Sequence, residues 1–358
     1  MFLQYCSFAK NLSMYKLIIR PILFNLSPER IHSLVASTIK ISFRIPGVKL
    51  IVSGIFSKSN ATLEREVFGL KFKNPVGLAA GFDKNAELYS DFSAFGFGFI
   101  EVGTITPKPQ PGNPKPRSFR LVKDKALINR MGFNNNGLYS AKLKLCKRKP
   151  SKIIIGGNIG KNTATPNNIA VNDYILCFKE LYNLVDYFVV NISCPNISNL
   201  RDLQDRDSLR IILQTICTYR NEQVQYRPVL LKISPDLSFS QIDETIEIVM
   251  SVGVDGIVAT NTTTSRSGLI TPPEKVTEIG NGGLSGLPLS KRSTEVIRHI
   301  HQKTQGKLPI IASGGVMSPS DAIEKLNAGA SLVQVYTGFI YEGPGIVKSI
   351  CNALIAKK

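Results

Sequence analysis

Beyond about residue 60 the chain alternates apolar runs of four to seven residues with longer segments whose apolar positions recur at helical spacing. Eight runs stand out: Pro75 to Ala80, Gly98 to Thr104, Ile153 to Ile159, Tyr187 to Ser193, Val229 to Ile233, Gly256 to Thr260, Pro309 to Ala312 and Leu332 to Tyr336. Rich in Val and Ile and nearly continuous, they have the character of parallel strands buried on both faces. Pro166 to Leu184, Ser238 to Ser251 and Pro319 to Ala328 read as helices between them. Ser238 and Gln241 have capping-box spacing, and Ser318 before Pro319 reads as an N-cap followed by a first-turn proline. Eight such units over residues 59–358 predict an α/β fold, a (βα)8 TIM barrel. A doubly wound sheet would need a glycine fingerprint after its first strand, and no G-x-G-x-x-G follows Pro75 to Ala80. Two connections are too long for simple loops and are expected to fold over the barrel mouth: 105–150, with Pro107, Pro109, Pro111, Pro114 and Pro116, and 261–290, with Gly280, Gly282, Gly283 and Gly286.

The first 58 residues have a different pattern and are predicted to form a helical arm. Ser27-Pro28-Glu29 combines an N-cap, a first-turn proline and a carboxylate that complements the helix dipole; Ile31, Leu34, Val35 and Ile39 follow at helical spacing. After the turn at Pro46-Gly47 comes a second stripe of Val48, Ile51, Val52, Ile55 and Phe56. The arm carries eight Lys/Arg and one acid, Glu29, for a net +7. Two readings remain open: the stripes dock on the barrel, or the helix pair lies in anionic headgroups without spanning the bilayer. Arg20, Arg44 and Lys49 interrupt every long apolar stretch, so no transmembrane helix is expected. Residues 1–13 lack the pattern of a secretory signal and read as a frayed extension.

With 43% hydrophobic and 20% charged residues, the 358-residue chain can fill a core and is not disordered. Its net +18 invites anionic partners: nucleic acid, acidic lipid or phosphorylated ligands. The six cysteines are sparse, and no C-x-x-C pair suggests zinc or a redox dithiol, so reduced thiols are expected.

Barrel active sites form at the C-terminal ends of the strands. Those ends carry Gly81-Phe82-Asp83-Lys84, Gly103-Thr104, Asn158, Asn191 to Asn196, Lys232, Thr260-Asn261-Thr262, Ser313-Gly314-Gly315 and Tyr336-Thr337. Each alone reads as a loop cap. Together they offer amides, hydroxyls, two lysines and a thiol, but no histidine: His32 lies in the arm, and His299 and His301 on a surface helix, so neither a histidine base nor a metal is expected. Such a set suits a planar heterocycle with carbonyl and imide edges and a redox cofactor whose reduced, anionic form a lysine stabilises. Gly314-Gly315 and Gly286, with the helix that starts at Ser318, add a phosphate site, and the combination points to FMN. Cys194, flanked by Asn191, Ser193 and Asn196, is better placed than the other cysteines to be a base.

These residues closely resemble the dihydroorotate dehydrogenases from about residue 14 onward. The motifs that carry the resemblance are Gly77 to Lys84, Gly103 to Gly112, Ile128 to Asn135, Asn191 to Asn196, Ala259 to Thr263, Gly282 to Gly286 and Val333 to Gly338. The arm, with Ser27-Pro-Glu-Arg30, resembles the membrane-associated, quinone-using class 2 enzymes. The resemblance implies FMN contacts from Ala80, Gly81, Phe82, Asp83, Lys84, Thr104, Asn158, Asn191, Lys232, Thr260, Gly286, Gly315, Tyr336 and Thr337. It implies orotate contacts from Lys84, Asn129, Arg130, Met131, Gly132, Phe133, Asn191, Asn196, Asn261 and Thr262. It also implies oxidation of dihydroorotate to orotate in pyrimidine biosynthesis, with Cys194 taking a proton from a ring carbon, FMN the hydride, and a membrane quinone the electrons. Class 2 enzymes usually have serine at the base position, so Cys194 joins a class 2 arm to a class 1 base. The same oxidation with fumarate or NAD as acceptor is the alternative. A bacterial location on the cytoplasmic face of the cell membrane is expected ahead of the mitochondrial inner membrane, and nucleic acid is no longer the favoured partner.

Overall fold

The computed structural model describes residues 14–148, 153–193 and 206–357. In chain order the strands are β1 (Arg65–Val67), β2 (Leu70–Phe72), β3 (Val76–Asp83), β4 (Phe99–Ile105), β5 (Ser118–Leu121), β6 (Ala126–Asn129) and β7 (Ile154–Ile159). There follow β8 (Tyr187–Asn191), β9 (Val229–Ile233), β10 (Gly256–Ala259), β11 (Gly283–Gly286), β12 (Ile310–Ala312) and β13 (Leu332–Val335). Eight of them, β3, β4, β7, β8, β9, β10, β12 and β13, pair in parallel in that order, and β13 returns to β3 to close a barrel. They are the eight apolar runs, and nearly every residue in them is buried. Barrel closure leaves no sheet edge, while an outer layer of helices covers the second face of each strand.

Local signals set the helix boundaries. The helix Phe239–Val252 begins with the expected reciprocal cap, Gln241 N–H to Ser238 Oγ at 3.2 Å and Ser238 N–H to Gln241 Oε1 at 2.9 Å. At the N-terminal end of the barrel the β1–β2 hairpin drives Phe72 against Phe99, ring centroids 5.3 Å apart, above Tyr187, Leu230 and Val258. The opposite end is left for the site.

The two long connections do meet at the mouth, and they do so as a sheet: β11, β6 and β5 pair antiparallel in that order. Leu121, Ala126, Ile128, Ile279 and Leu284 form its own small core. Asp124 ties the connections together by accepting from the backbone N–H of Ile270 and Thr271 and from the Thr271 hydroxyl. Four-residue strands such as Gly-Leu-Ser-Gly give little alternation to read, which is why the sequence predicted a cover and not its strands.

The arm folds as a π-helical turn Tyr15–Ile19 and helices Arg20–Phe24, Pro28–Ser42 and Val48–Phe56. Gly47, at φ +86°, makes the left-handed turn between the last two. Each stripe divides between two environments. Ala36, Ile39, Phe43, Val52 and Phe56 pack on the barrel, the last against Phe95 at 5.8 Å. Leu17, Ile18, Ile22, Leu34, Ile41, Leu50 and Ile51 remain exposed, from 53% for Leu34 to 78% for Leu50. No described helix is long and apolar enough to cross a membrane. Part of the arm's charge is spent on docking: Lys16 pairs with Glu342, Lys40 with Glu87, Lys49 with Asp91, and Arg20 donates to the Tyr341 carbonyl. Arg30, Arg44 and Lys58 are exposed.

Candidate active site

A cavity opens where the strands end beneath the three-stranded cover. From β3 come Ala80, Gly81 and, just beyond it, Lys84; from β4, Thr104; from β8, Asn191; from β9, Lys232. Thr260, Asn261 and Thr262 follow β10, Ser313-Gly314-Gly315 follow β12, and Gln334, Tyr336 and Thr337 come from β13 and its end. The cover supplies Asn129, Met131, Gly132, Phe133, Ser285 and Gly286.

The floor is a hydrogen-bonded row. Thr104 Oγ1 donates to Asn158 Oδ1 at 2.5 Å, and Asn191 Nδ2 donates to Thr104 Oγ1 at 3.0 Å. Asn261 Nδ2 bridges Asn191 Oδ1 at 3.3 Å and Ser193 Oγ at 3.1 Å. Asn158 thus stands behind the wall and orients Thr104 and Asn191 rather than facing the cavity.

Three other residues expected at the cofactor or substrate also sit off the wall. Asp83 turns away and accepts three backbone N–H bonds from Glu87, Leu88 and Tyr89, fixing the turn that projects Lys84. Phe82 joins an aromatic cluster with Tyr336, Phe92 and Phe339. Arg130 belongs to the cover, donating to the carbonyls of Ile279, Asn281 and Pro116 with its guanidinium over Phe119. Cys194 and Asn196 lie outside the described residues. The chain reaches them from Ser193, which bonds both the Lys232 carbonyl and Asn261.

At one end, glycines permit an approach that side chains would block. A Cβ on Gly315 would lie 2.2 Å from Ser290 Cα, and one on Gly286 2.3 Å from the Lys125 carbonyl oxygen; both have positive φ, +73° and +99°. The helix Pro319–Asn327 contributes less to this cradle than its sequence suggested. Its N-terminus is closed by its own residues: Ser318 accepts from Asp321 N–H, while the Asp321 carboxylate accepts from Met317 N–H at 2.9 Å and Ser318 Oγ at 2.8 Å. This part of the cavity is lined instead by the glycine backbone and by Thr337, the first residue of the short helix Thr337–Glu342.

Charge at the other end is set by desolvation. Burial, with the Arg117 charge adding to it and Glu29 opposing, pulls the Lys84 ammonium down to about 8. His32 lies in the arm, as the sequence placed it, and packs from there edge-on against Phe82 at 5.1 Å. Burial first, then the Lys84 charge, holds it down to about 4, so it is neutral at physiological pH. Arg117, buried and bonded to Glu29 of the arm at 3.0 Å, is a second contact the sequence did not single out. The described buried thiols are unsuited to be bases: desolvation pushes Cys217 up to about 11 and Cys351 up to about 12, and raises Cys177 further. Among the described residues no three His, Cys, Asp or Glu side chains cluster as metal ligands would.

A closed barrel with a mouth of oriented amides, two lysines and closely packed glycines defines the chain as an α/β-barrel protein with its cavity at the C-terminal ends of the strands. More specifically, the chain belongs to the dihydroorotate dehydrogenase family, whose model matches residues 62–357. It is similar to the dihydroorotate dehydrogenase (quinone) of Christiangramia forsetii, 54% identical over 344 residues that cover 96% of this chain and 99% of that protein. The protein of the same name from Thermosynechococcus vestitus is 46% identical over 355 residues, 96% of each chain. Among solved structures, ligand-free DHODH from Eimeria tenella superposes with a TM-score of 0.83 at 37% identity, covering 92% of this chain and 94% of that one.

Proposed function

We propose that this enzyme oxidises (S)-dihydroorotate to orotate, with FMN as first electron acceptor and a membrane quinone as the last, in de novo pyrimidine synthesis. The observation that carries the reading is the convergence on one cavity of Lys84, Asn129, Asn191, Asn261 and Thr262 with the Gly286–Gly315 cradle. The residues suit FMN: Gly286 and Gly315, packed too closely on Lys125 and Ser290 for any Cβ, bring bare backbone to the cavity wall, where a phosphate can meet it, and the amide floor offers donors and acceptors to a heterocycle. When bound, FMN supplies two-electron redox chemistry. Gly286, Gly315 and Thr337 would hold its phosphate end and Thr104, Asn191 and Thr260 its ring, while Lys232 holds a positive charge where a reduced heterocycle gains a negative one. Lys84 balances the substrate carboxylate, the asparagines read the pyrimidine edges, and Cys194, one residue beyond Ser193, takes the proton from the ring carbon.

The quinone reading draws support from the arm. The relatives named as quinone enzymes align over 96% of the chain, well beyond the family model's start at residue 62. His32, Phe82 and Tyr336 make an aromatic path from the arm to the cavity wall, and we place quinone entry there. The exposed apolar residues and the cations Arg30, Arg44 and Lys58 favour peripheral attachment to an anionic membrane surface on the cytoplasmic side. Steady-state oxidation of dihydroorotate with quinone, fumarate and NAD tested separately decides the acceptor: quinone alone should sustain turnover, and turnover with fumarate or NAD would replace this reading.

Two expectations follow here. Changing Leu17, Ile18, Leu50 and Ile51 together to serine removes exposed apolar surface without touching the packed face. Sedimentation with anionic vesicles should weaken roughly tenfold or more, while oxidation by a soluble dye stays unchanged. The free enzyme's kcat/KM should rise with pH as the thiol ionises, then fall above about pH 8 as Lys84 loses its charge. In Lys84→Arg the falling limb should vanish, because guanidinium keeps its charge; a falling limb that stays in place would show that Lys84 is not its source.

A further inference from the structure

Glu101 is a charged side chain in the middle of β4, fully buried in the barrel interior below the cavity floor. It forms no ion pair among the described residues. Instead its two carboxylate oxygens each accept from an amide: Oε1 from Asn158 Nδ2 at 2.7 Å, Oε2 from Gln334 Nε2 at 2.6 Å. A carboxylate has only acceptors, so both amides must turn their NH2 groups inward and their carbonyls away. The consequence runs along the floor in one direction. Asn158 Oδ1 accepts from Thr104, Thr104 Oγ1 accepts from Asn191, and Asn191 Oδ1 accepts from Asn261, so every donor points back toward Glu101.

On the other branch the chain stops. Gln334 is 1% exposed and lines the cavity, yet its Oε1 has no hydrogen-bond partner. Of the five buried side-chain atoms in that condition among the described residues, it alone belongs to a cavity-lining residue. A buried acceptor left unmatched is disfavoured in the absence of a donor, which points to a ligand that supplies one.

We infer that Glu101 is a positioning residue that fixes the polarity of the amide floor, and that it thereby presents the Gln334 carbonyl as an acceptor for a hydrogen-bond donor of the bound flavin. The inference rests on the flavin reading above. Flavin offers two kinds of donor, the imide N–H of the ring and the hydroxyls of the ribityl chain. Glu101→Gln keeps the shape but replaces one acceptor by a donor, so one of the two amides must flip or lose its bond. Gln334→Leu removes the acceptor directly.

The test is exchange of the flavin in the full-length holoenzyme against 3-methyl-FMN, which lacks the imide donor, and the 2′-, 3′- and 4′-deoxy-FMNs, each of which lacks one ribityl hydroxyl, followed by flavin fluorescence. The parent protein should prefer FMN over one of the analogues by about tenfold, the scale of one buried hydrogen bond. Which analogue is disfavoured identifies the donor. In Gln334→Leu that preference should collapse to near unity, in Glu101→Gln it should fall toward unity because the Gln334 amide is no longer held by a carboxylate, and the double variant should add no loss beyond that of Gln334→Leu. A purely structural Glu101 would lower affinity for all these flavins alike and leave the preference intact, which overturns the inference; so does a parent protein that discriminates against none of the analogues. Should Glu101→Gln not fold, Gln334→Leu at the cavity surface carries the test alone. A parent protein that purifies without flavin overturns the functional reading and this inference together, whereas a flavin-bound parent with unchanged variants overturns only the latter.

Discussion

Cys194→Ala is expected to lower turnover of dihydroorotate by about 10²–10⁴-fold, the range over which a positioned general base acts, while the protein keeps its flavin and its fold. The described cysteines cannot replace it: Cys177, Cys217 and Cys351 are buried with their thiols pushed well up, and Cys146, the C-cap of the helix Gly137–Leu145, is exposed and does not line the cavity. Serine is the informative second substitution. A hydroxyl is a far weaker acid than a thiol, so Cys194→Ser should remove the ionisation that makes the rate climb toward alkaline pH and make the proton's departure depend on a relay. Stopped-flow rates across neutral and alkaline pH check both variants. A serine variant with full activity and an unchanged profile would leave Cys194 without the role assigned to it.

Gly315→Val should abolish flavin retention. Three effects act together at one position. Its Cβ would fall 2.2 Å from Ser290 Cα, backbone that cannot swing aside as a long side chain can. The φ of +73° disfavours any L side chain, by about 1–2 kcal/mol. Shifting the backbone to relieve that overlap would displace the Gly315 main chain that lines the cavity, where an anion would meet it. The expected product is a folded, colourless protein, read by absorbance after purification and by circular dichroism for the fold. Gly268, at φ +74° with open space around it, is the control: Gly268→Val carries similar backbone strain without the overlap, and the protein should stay yellow. Loss of colour in both variants would assign the effect to backbone strain rather than to the cradle.

Much of the barrel was legible because its information is local. Eight continuous apolar runs are what parallel strands buried on both faces require, and the capping box at Ser238 and Gln241 is written in adjacent residues. The cover sheet was not legible as strands, since β11 pairs with β6 across more than 150 residues and all three strands, the β5–β6 hairpin included, are only four residues long. The arm's two readings could not be separated from periodicity alone, because its helices are apolar on more than one side: Ile39, Val52 and Phe56 dock while Leu34, Leu50 and Ile51 face outward.

For the site, reading the strand ends located the wall but not the orientation of side chains next to one another. Phe82, Asp83 and Lys84 are consecutive, yet they enter an aromatic cluster, a backbone turn and the cavity respectively. His32 was set aside because the arm's docking on Phe82 is a tertiary fact. Glu101 did leave a trace, a lone acid inside an apolar run, and a charge in that setting is a functional or positioning signal because isolated burial is so unfavourable.

The most direct test of the central claim is anaerobic addition of dihydroorotate to the purified protein, watched through the flavin absorption band. The account predicts a yellow protein whose band bleaches with one equivalent of dihydroorotate and returns on addition of a quinone but not of fumarate or NAD. A flavin band that dihydroorotate leaves untouched, or a protein with no flavin band, would contradict it.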